Sequence, residues 1–135
     1  MTPEKPASAA ERRDPAIRVM MMPRDTNALG TIFGGIILSY IDQAGAVEAH
    51  RWVHGQIVTV AIREVEFHEP VYVGDLVSLY TRVQRVGNTS ITVKVDVEAE
   101  RRVRGGGTVK VTEAEVTFVH LDDDGRPTPI DREEL

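Results

Sequence analysis

A chain of 135 residues can bury one hydrophobic core without disulfide or metal staples, and 41% hydrophobic with 27% charged residues is ordinary for a soluble globular domain. A net charge of −5, with no basic stripe interleaved with aromatic residues, argues against a nucleic-acid partner. The chain has no cysteine, which excludes disulfides, cysteine-ligated zinc and a thiol nucleophile and is compatible with the cytoplasmic location we expect.

The two ends of the chain are polar, and the middle is predicted to fold. Residues 1–15 contain proline, alanine and charge but no apolar segment of the kind found in secretory signals, so we expect a disordered lead-in. The most apolar run, residues 32–47, is interrupted by Asp42 and by glycines and is too short to span a bilayer, so no membrane partner is expected. One domain is predicted over residues 16–125, followed by a loose tail over 126–135.

A short strand and a long buried helix are predicted in the first half. Residues 17–22 favour a strand, and the following segment PRDTNALGT is rich in turn formers. From about Phe33 to Val53 the apolar residues fall on several faces of a helix and leave hardly any polar side, which is typical of a buried helix. Gly55 is placed to end this helix in the left-handed conformation.

Four strands in a meander are predicted after the helix, over residues 56–67, 75–86, 91–100 and 108–121. Turns are expected at GNTS (87–90) and RGGG (104–107). The first of these strands shifts its apolar parity near Glu64, as a bulge would cause, and the last switches parity around Thr112–Glu113.

Each long strand has one polar face, so its apolar face must pack against another element. The sequence predicts a single helix that can cover it. The sequence therefore predicts an α+β fold in which an antiparallel sheet wraps around the helix, with a second subunit pairing against the sheet edges.

Several segments together resemble a known family. MPRDTNALGTIFGGIILSYIDQAG is followed by IVTVAIREVEFHEPVYVGD and GNTS, in the order and spacing of the acyl-CoA thioesterases of the YciA and brain acyl-CoA hydrolase group. The resemblance covers about residues 19–125. It implies the hotdog fold, a five-stranded antiparallel sheet wrapped around one long helix. It also implies hydrolysis of an acyl-CoA to the free acid and coenzyme A, without a metal or other cofactor.

The resemblance further implies which residues form the site. Asp42 would act as general base or nucleophile, and Asn27 would orient water or the thioester. The amides of Gly34 and Gly35 would polarise the thioester carbonyl. Phe33 departs from many relatives, which have a histidine before the glycines, and this difference blurs the expected acyl specificity.

The residues themselves fit this chemistry. Asp42 is the one charge between Thr26 and Val47, and an unpaired charge in apolar surroundings is costly unless it has a use. Amides at a helix N-terminus lack intrahelical acceptors and lie at the positive end of the dipole, so they suit a developing oxyanion.

Helix geometry argues for two chains. Asp42 lies eight residues from Gly34 and seven from Gly35, on the same face but about 10–12 Å along the axis. Because this is too far for both to act on one carbonyl, we expect a homodimer that brings one chain's glycines beside the other chain's Asp42. A hexamer built as a trimer of dimers is a further expectation.

Structural roles remain open for each of these residues. Asp42 can be a structural carboxylate, the glycines can allow close packing of sheet on helix, and Asn27 can be a turn or cap residue. A non-catalytic acyl-CoA-binding regulator and a hotdog hydratase are the alternative functions. The hydratase is disfavoured because no histidine with a nearby aspartate lies in the helix or the loop before it.

Other charged residues are predicted to have structural roles or are candidates for contacts with the substrate. Glu48 is expected to pair with Arg51 or solvent, and His50 and His54 to lie on a solvated face rather than hold a metal. Five arginines are candidate contacts for the coenzyme A phosphates: Arg82, Arg85, Arg101, Arg102 and Arg104.

Overall fold

Five strands and one long helix form the fold in the computed structural model, which describes residues 14–103 and 105–135. The elements are β1 (Ile17–Met20), α1 (Gly34–Ala49), β2 (Gln56–Arg63), β3 (Leu76–Val86), β4 (Ser90–Glu100) and β5 (Thr108–Leu121), with 3₁₀ turns at Pro23–Asp25 and Arg132–Glu134. Most of the expected N-terminal lead-in, residues 1–13, lies outside the described residues, as does Arg104.

The sheet is antiparallel throughout, in the order β1-β3-β4-β5-β2. The predicted α+β architecture is confirmed, but the meander is restricted to β3, β4 and β5. The strand β2 pairs with β5 instead of its sequence neighbour β3, because α1 carries the chain to the far edge of the sheet. The two edges are therefore β1 and β2.

The core lies between α1 and the inner faces of the three central strands. Ile37, Ile41 and Ala44 recur on one face of α1 and are fully buried, as their spacing predicts. They meet inward residues that alternate along the strands: Val77, Leu79, Val93, Val95, Val97, Val116 and Phe118. At Gly45 the helix approaches the sheet closely, since an added Cβ would lie 3.1 Å from Phe118 Cζ and 3.3 Å from Val116 Cβ.

In the described part of the chain no helix has the length and apolar character needed to cross a membrane.

The helix ends earlier than predicted, and Gly55 has a different role. The last helical residue is Ala49, with His50 as the C-cap, and a turn then carries the chain to β2. Gly55 does not have a positive φ, so the prediction of a left-handed cap is wrong. A Cβ at Gly55 would instead overlap the imidazole of His120, which explains the absence of a side chain there.

The two predicted shifts of apolar parity differ in how well the structure matches them. In β5 the register shifts opposite Val97 and Glu98, close to the predicted position at Thr112–Glu113. In β2 the register shifts between Thr59 and Ala61, several residues before the predicted position near Glu64. Glu64 itself has a φ of 60°, and the chain leaves the sheet at this residue.

The C-terminal segment expected to be a loose tail is attached to the sheet. Backbone hydrogen bonds join Thr128 N to His120 O at 2.9 Å and Ile130 N to Asn88 O at 2.8 Å. The side chain of Ile130 is buried in the core cluster. The polar composition of this segment led to the prediction of a loose tail. Burial of Ile130 and the backbone hydrogen bonds instead attach the segment to the sheet.

Candidate active site

The N-terminus of α1 opens into a pocket. The helix begins at Gly34 after Phe33, whose backbone is extended and whose side chain makes no capping hydrogen bond. The pocket has a volume of about 230 Å³ and a mostly apolar lining: Thr31, Ile32, Gly34, Ile37, Phe67, Glu69, Pro70 and Val71. First-turn amides have no intrahelical acceptor, so this end of the helix presents donors toward a ligand in the pocket.

Aromatic rings, rather than the sheet, lie against the two glycines. A Cβ at Gly34 would lie 3.5 Å from Phe67 Cε2, and a Cβ at Gly35 would lie 2.6 Å from Phe33 Cε1. Close packing of sheet on helix therefore describes Gly45, not this pair. At Gly34 the absence of a side chain keeps the helix backbone accessible beside the Phe67 ring.

Asp42 is half-buried and hydrogen-bonded across to the sheet. The hydroxyl of Thr59 on β2 donates to Asp42 Oδ1 at 2.6 Å. Within residues 14–103 and 105–135, the Asp42 side chain makes no other hydrogen bond or ion pair. Asp42 is also not among the residues that line the pocket, so one chain does not bring it together with Gly34.

Asn27 organises the loop before the helix. Its Oδ1 accepts hydrogen bonds from the backbone amides of Leu29 at 2.8 Å and Thr31 at 3.2 Å. Its Nδ2 donates to Thr31 Oγ1 at 2.8 Å. These contacts match the turn role and fix Thr31 at the pocket wall, while a second Nδ2 hydrogen remains for a ligand.

A buried ion pair near the pocket was missed by the sequence analysis. Asp75 is fully buried, and its Oδ2 accepts from Arg101 Nη1 at 2.5 Å and from Tyr72 N at 3.0 Å. The Arg101 guanidinium also lies 4.9 Å from the centroid of the Tyr72 ring and 3.8 Å from the Glu69 carboxylate in the pocket wall. Only a contact 26 residues apart in sequence reveals this pair, so no local pattern signals it.

This ion pair disfavours one of the arginines that are candidate phosphate contacts. Arg101 is paired with Asp75 and its side chain is only 8% exposed, which disfavours it as a phosphate contact. Arg82, Arg85 and Arg102 are exposed and remain candidates.

Glu48 is buried, contrary to expectation. It is 9% exposed and accepts a hydrogen bond from Thr81 Oγ1 at 3.2 Å, instead of pairing with Arg51 or solvent. Its spacing from Ile41 and Ala44 placed it on the buried face, and Thr81 supplies the donor that makes burial tolerable. His50 and His54 are exposed, and the described residues contain no group of three histidine, aspartate or glutamate side chains that could hold a metal ion.

Comparison with known proteins identifies the family. The thioesterase superfamily model matches residues 29–106 of the chain. The chain belongs to the thioesterase superfamily. Among the relatives of this thioesterase, acyl-CoA thioester hydrolase YciA of Salmonella typhimurium is 40% identical over 116 residues, which cover 84% of this chain and 87% of that protein. The resemblance to the YciA group is thus confirmed.

Solved structures establish the hotdog fold of this thioesterase. A hexameric hotdog fold thioesterase of Campylobacter jejuni matches with a TM-score of 0.84 and 44% identity, over 90% of this chain and 93% of that one. HI0827, a hexameric broad specificity acyl-coenzyme A thioesterase, matches with a TM-score of 0.83 and 42% identity, over 89% of this chain and 82% of that one. The predicted hotdog fold is confirmed.

Proposed function

We propose that the protein hydrolyses acyl-CoA thioesters to a free acid and coenzyme A, with Asp42 as the general base or nucleophile. One observation carries the proposal: Asp42, the one charge between Thr26 and Val47, is a half-buried carboxylate with a single hydrogen-bond partner among the described residues, Thr59. A structural carboxylate would satisfy several buried donors, whereas Asp42 retains acceptor capacity for a substrate or water. Similarity to YciA and HI0827 supports acyl-CoA as the substrate.

The chemistry divides between the N-terminus of α1, with Gly34 and Gly35, and its middle, with Asp42. In the base route, Asp42 takes a proton from a water molecule that attacks the thioester carbonyl. In the nucleophile route, the carboxylate attacks the carbonyl, coenzyme A leaves as a thiolate, and water hydrolyses the mixed anhydride. Both routes place negative charge on the carbonyl oxygen, where the Gly34 and Gly35 amides would donate to it. The apolar pocket beside Gly34 would accept the start of the acyl group.

A homodimer would complete the site. Within one chain Asp42 is separated from the pocket, so the proposal takes Asn27 and the two glycines from one chain and Asp42 from its partner. Support comes from the unpaired edge of β2, where Val60 is 56% exposed, and from the hexameric assembly of the two solved relatives. Three such dimers would form a hexamer. The cytoplasmic location and the domain limits at 16–125 stay predictions.

Release of free thiol from a panel of acyl-CoAs tests the function. We expect turnover without added metal and full activity in chelator. Asp42→Asn should lose most of kcat yet still bind a non-hydrolysable acyl-CoA analogue, because it removes the base without emptying the pocket. Single turnover in ¹⁸O-labelled water tests the anhydride route: when water attacks the Asp42 carbonyl of the anhydride, the label enters Asp42, which the base route never labels.

Two results would contradict the proposal. Near-normal kcat in Asp42→Asn would remove Asp42 from the chemistry. Wild-type protein that binds the analogue but releases no thiol from any acyl-CoA would favour a non-catalytic acyl-CoA-binding regulator.

A further inference from the structure

We infer that Glu69 is a specificity-determining residue: its carboxylate places a negative charge in the wall of the pocket, so the protein favours acyl groups that lack a distal carboxylate. This inference rests on the proposed function and narrows its substrate class. Glu69 is the only charged side chain among the described residues that line the pocket. The other lining residues are apolar or neutral, so no cation in the lining offsets its charge.

The guanidinium beside the pocket does not neutralise Glu69. Arg101 Nη1 lies 2.5 Å from Asp75 Oδ2, whereas Arg101 Nη2 lies 3.8 Å from Glu69 Oε2, which is too long for a hydrogen bond. Asp75 is fully buried and therefore depends on this cation, while the Glu69 side chain is 48% exposed and can be hydrated. Two carboxylates thus share one guanidinium, and the cluster keeps one uncompensated negative charge.

The size of the pocket brings a charge on the acyl group within range of Glu69. Because a compact cavity of about 230 Å³ is only about 8 Å across, a charged group inside it lies no more than about 8 Å from the wall that carries Glu69. At that separation and an effective dielectric constant of about 20, two like charges repel by an energy equivalent to about 30-fold in rate. Solvent around the half-exposed Glu69 side chain screens part of this repulsion, so we expect about tenfold discrimination.

Glutaryl-CoA and its monoamide, glutaramyl-CoA, test the inference, because the monoamide keeps the shape of the acyl group and removes its charge. In the wild-type protein we expect kcat/KM to be at least tenfold lower for glutaryl-CoA than for the monoamide. The apolar lining disfavours the substrate carboxylate in every variant, so the change on substitution isolates the effect of Glu69. Glu69→Gln keeps the length of the side chain and should shift the ratio of the two kcat/KM values about tenfold in favour of glutaryl-CoA.

A cationic acyl group and a control variant sharpen the test. β-Alanyl-CoA carries an ammonium group where butanoyl-CoA carries a methyl group, so Glu69→Gln should lower the kcat/KM of β-alanyl-CoA relative to that of butanoyl-CoA. Glu66→Gln is the matched control, because Glu66 is exposed, lies three residues earlier in the same segment and does not line the pocket. Any long-range effect on the anionic coenzyme A would appear in both variants, whereas the change in selectivity should appear only in Glu69→Gln.

Three results would overturn the inference: equal kcat/KM for glutaryl-CoA and its monoamide in the wild-type protein, a ratio in Glu69→Gln within twofold of the wild-type ratio, or the same shift in Glu66→Gln. If Glu69→Gln does not fold, Glu69→Ala replaces it, and the wild-type comparison needs no variant. The inference can fail while the proposed function stands, because turnover of butanoyl-CoA and its loss in Asp42→Asn are measured separately. If the wild-type protein releases no thiol from any acyl-CoA, both fail together.

Discussion

The buried pair between Arg101 and Asp75 makes a stability prediction with a large magnitude. Arg101→Met keeps an apolar stem of similar length but removes the guanidinium, which leaves a fully buried carboxylate with one remaining hydrogen bond, from Tyr72 N. Asp75 Oδ1 already has no partner among the described residues. Removing one partner of a buried ion pair costs about 3–5 kcal/mol of folding free energy. For a chain of this size that corresponds to a Tm lower by about 10–20 °C.

Removing the charge of Asp75 should cost less folding free energy than removing the guanidinium of Arg101. Asp75→Asn leaves Arg101 beside the Glu69 carboxylate and the Tyr72 ring, and asparagine still accepts one hydrogen bond, so we expect a loss of about 1–3 kcal/mol. The double variant should be more stable than Arg101→Met alone, because it removes the uncompensated charge.

Thermal unfolding followed by circular dichroism, at one protein concentration because the protein is expected to be oligomeric, measures all three variants. An Arg101→Met protein that melts within a few degrees of wild type would refute the burial argument. A double variant that is no more stable than Arg101→Met would refute the charge argument.

Two further predictions concern carboxylates. Asp42→Asn should melt at a temperature equal to or above that of wild type, because Asn keeps the acceptor for Thr59 and removes a half-buried charge; a clear drop in a melting curve would favour a structural role for Asp42. A hydrogen bond from Lys110, aided by the charges of Lys110 and Lys94, lowers the pKa of Glu113 below its ordinary value of 4.5. Glu113→Gln should therefore cost under about 1 kcal/mol of folding free energy at pH 7, because the Glu113 side chain is 40% exposed and solvent screens its charge. This cost should disappear as pH falls below 4.5 and through the lowered pKa. Melting curves at several pH values measure it, and a cost that persists in acid would contradict the ion-pair account.

Local sequence patterns predicted the elements but not their non-local partners. The alternation in 91–100 predicted β4 nearly to both ends, and the apolar pattern predicted the start of α1 but not its end at Ala49, because side-chain periodicity depends on neighbouring residues. The pairing of β2 with β5 was missed because strand partners are chosen by the whole sheet and by the path of α1 across it. The same limit applies to Asp75 and Arg101, which meet only after β3 and β4 pair.

The residues of the candidate site could also be predicted where the signal is local, and not where it depends on a contact distant in sequence. Asp42 was recognisable as a charge without a local partner, and the Gly34–Gly35 pair as a helix start with accessible amides. The contact between Thr59 and Asp42 was not recognisable, since a threonine in a β-branched strand gives no signal until the paired strand faces the helix.

Complementation between two inactive variants tests the central claim, that each site combines Asp42 of one chain with Asn27 and the glycines of another. Asn27→Ala and Asp42→Ala proteins should each be nearly inactive after refolding alone. When the two are co-denatured and refolded together, half of the dimers should be mixed, and each mixed dimer has one intact site of two. The account predicts recovery to roughly a quarter of wild-type activity. No recovery above the separately refolded controls, with mixed dimers verified by mass spectrometry, would contradict it and place both residues in the site of a single chain.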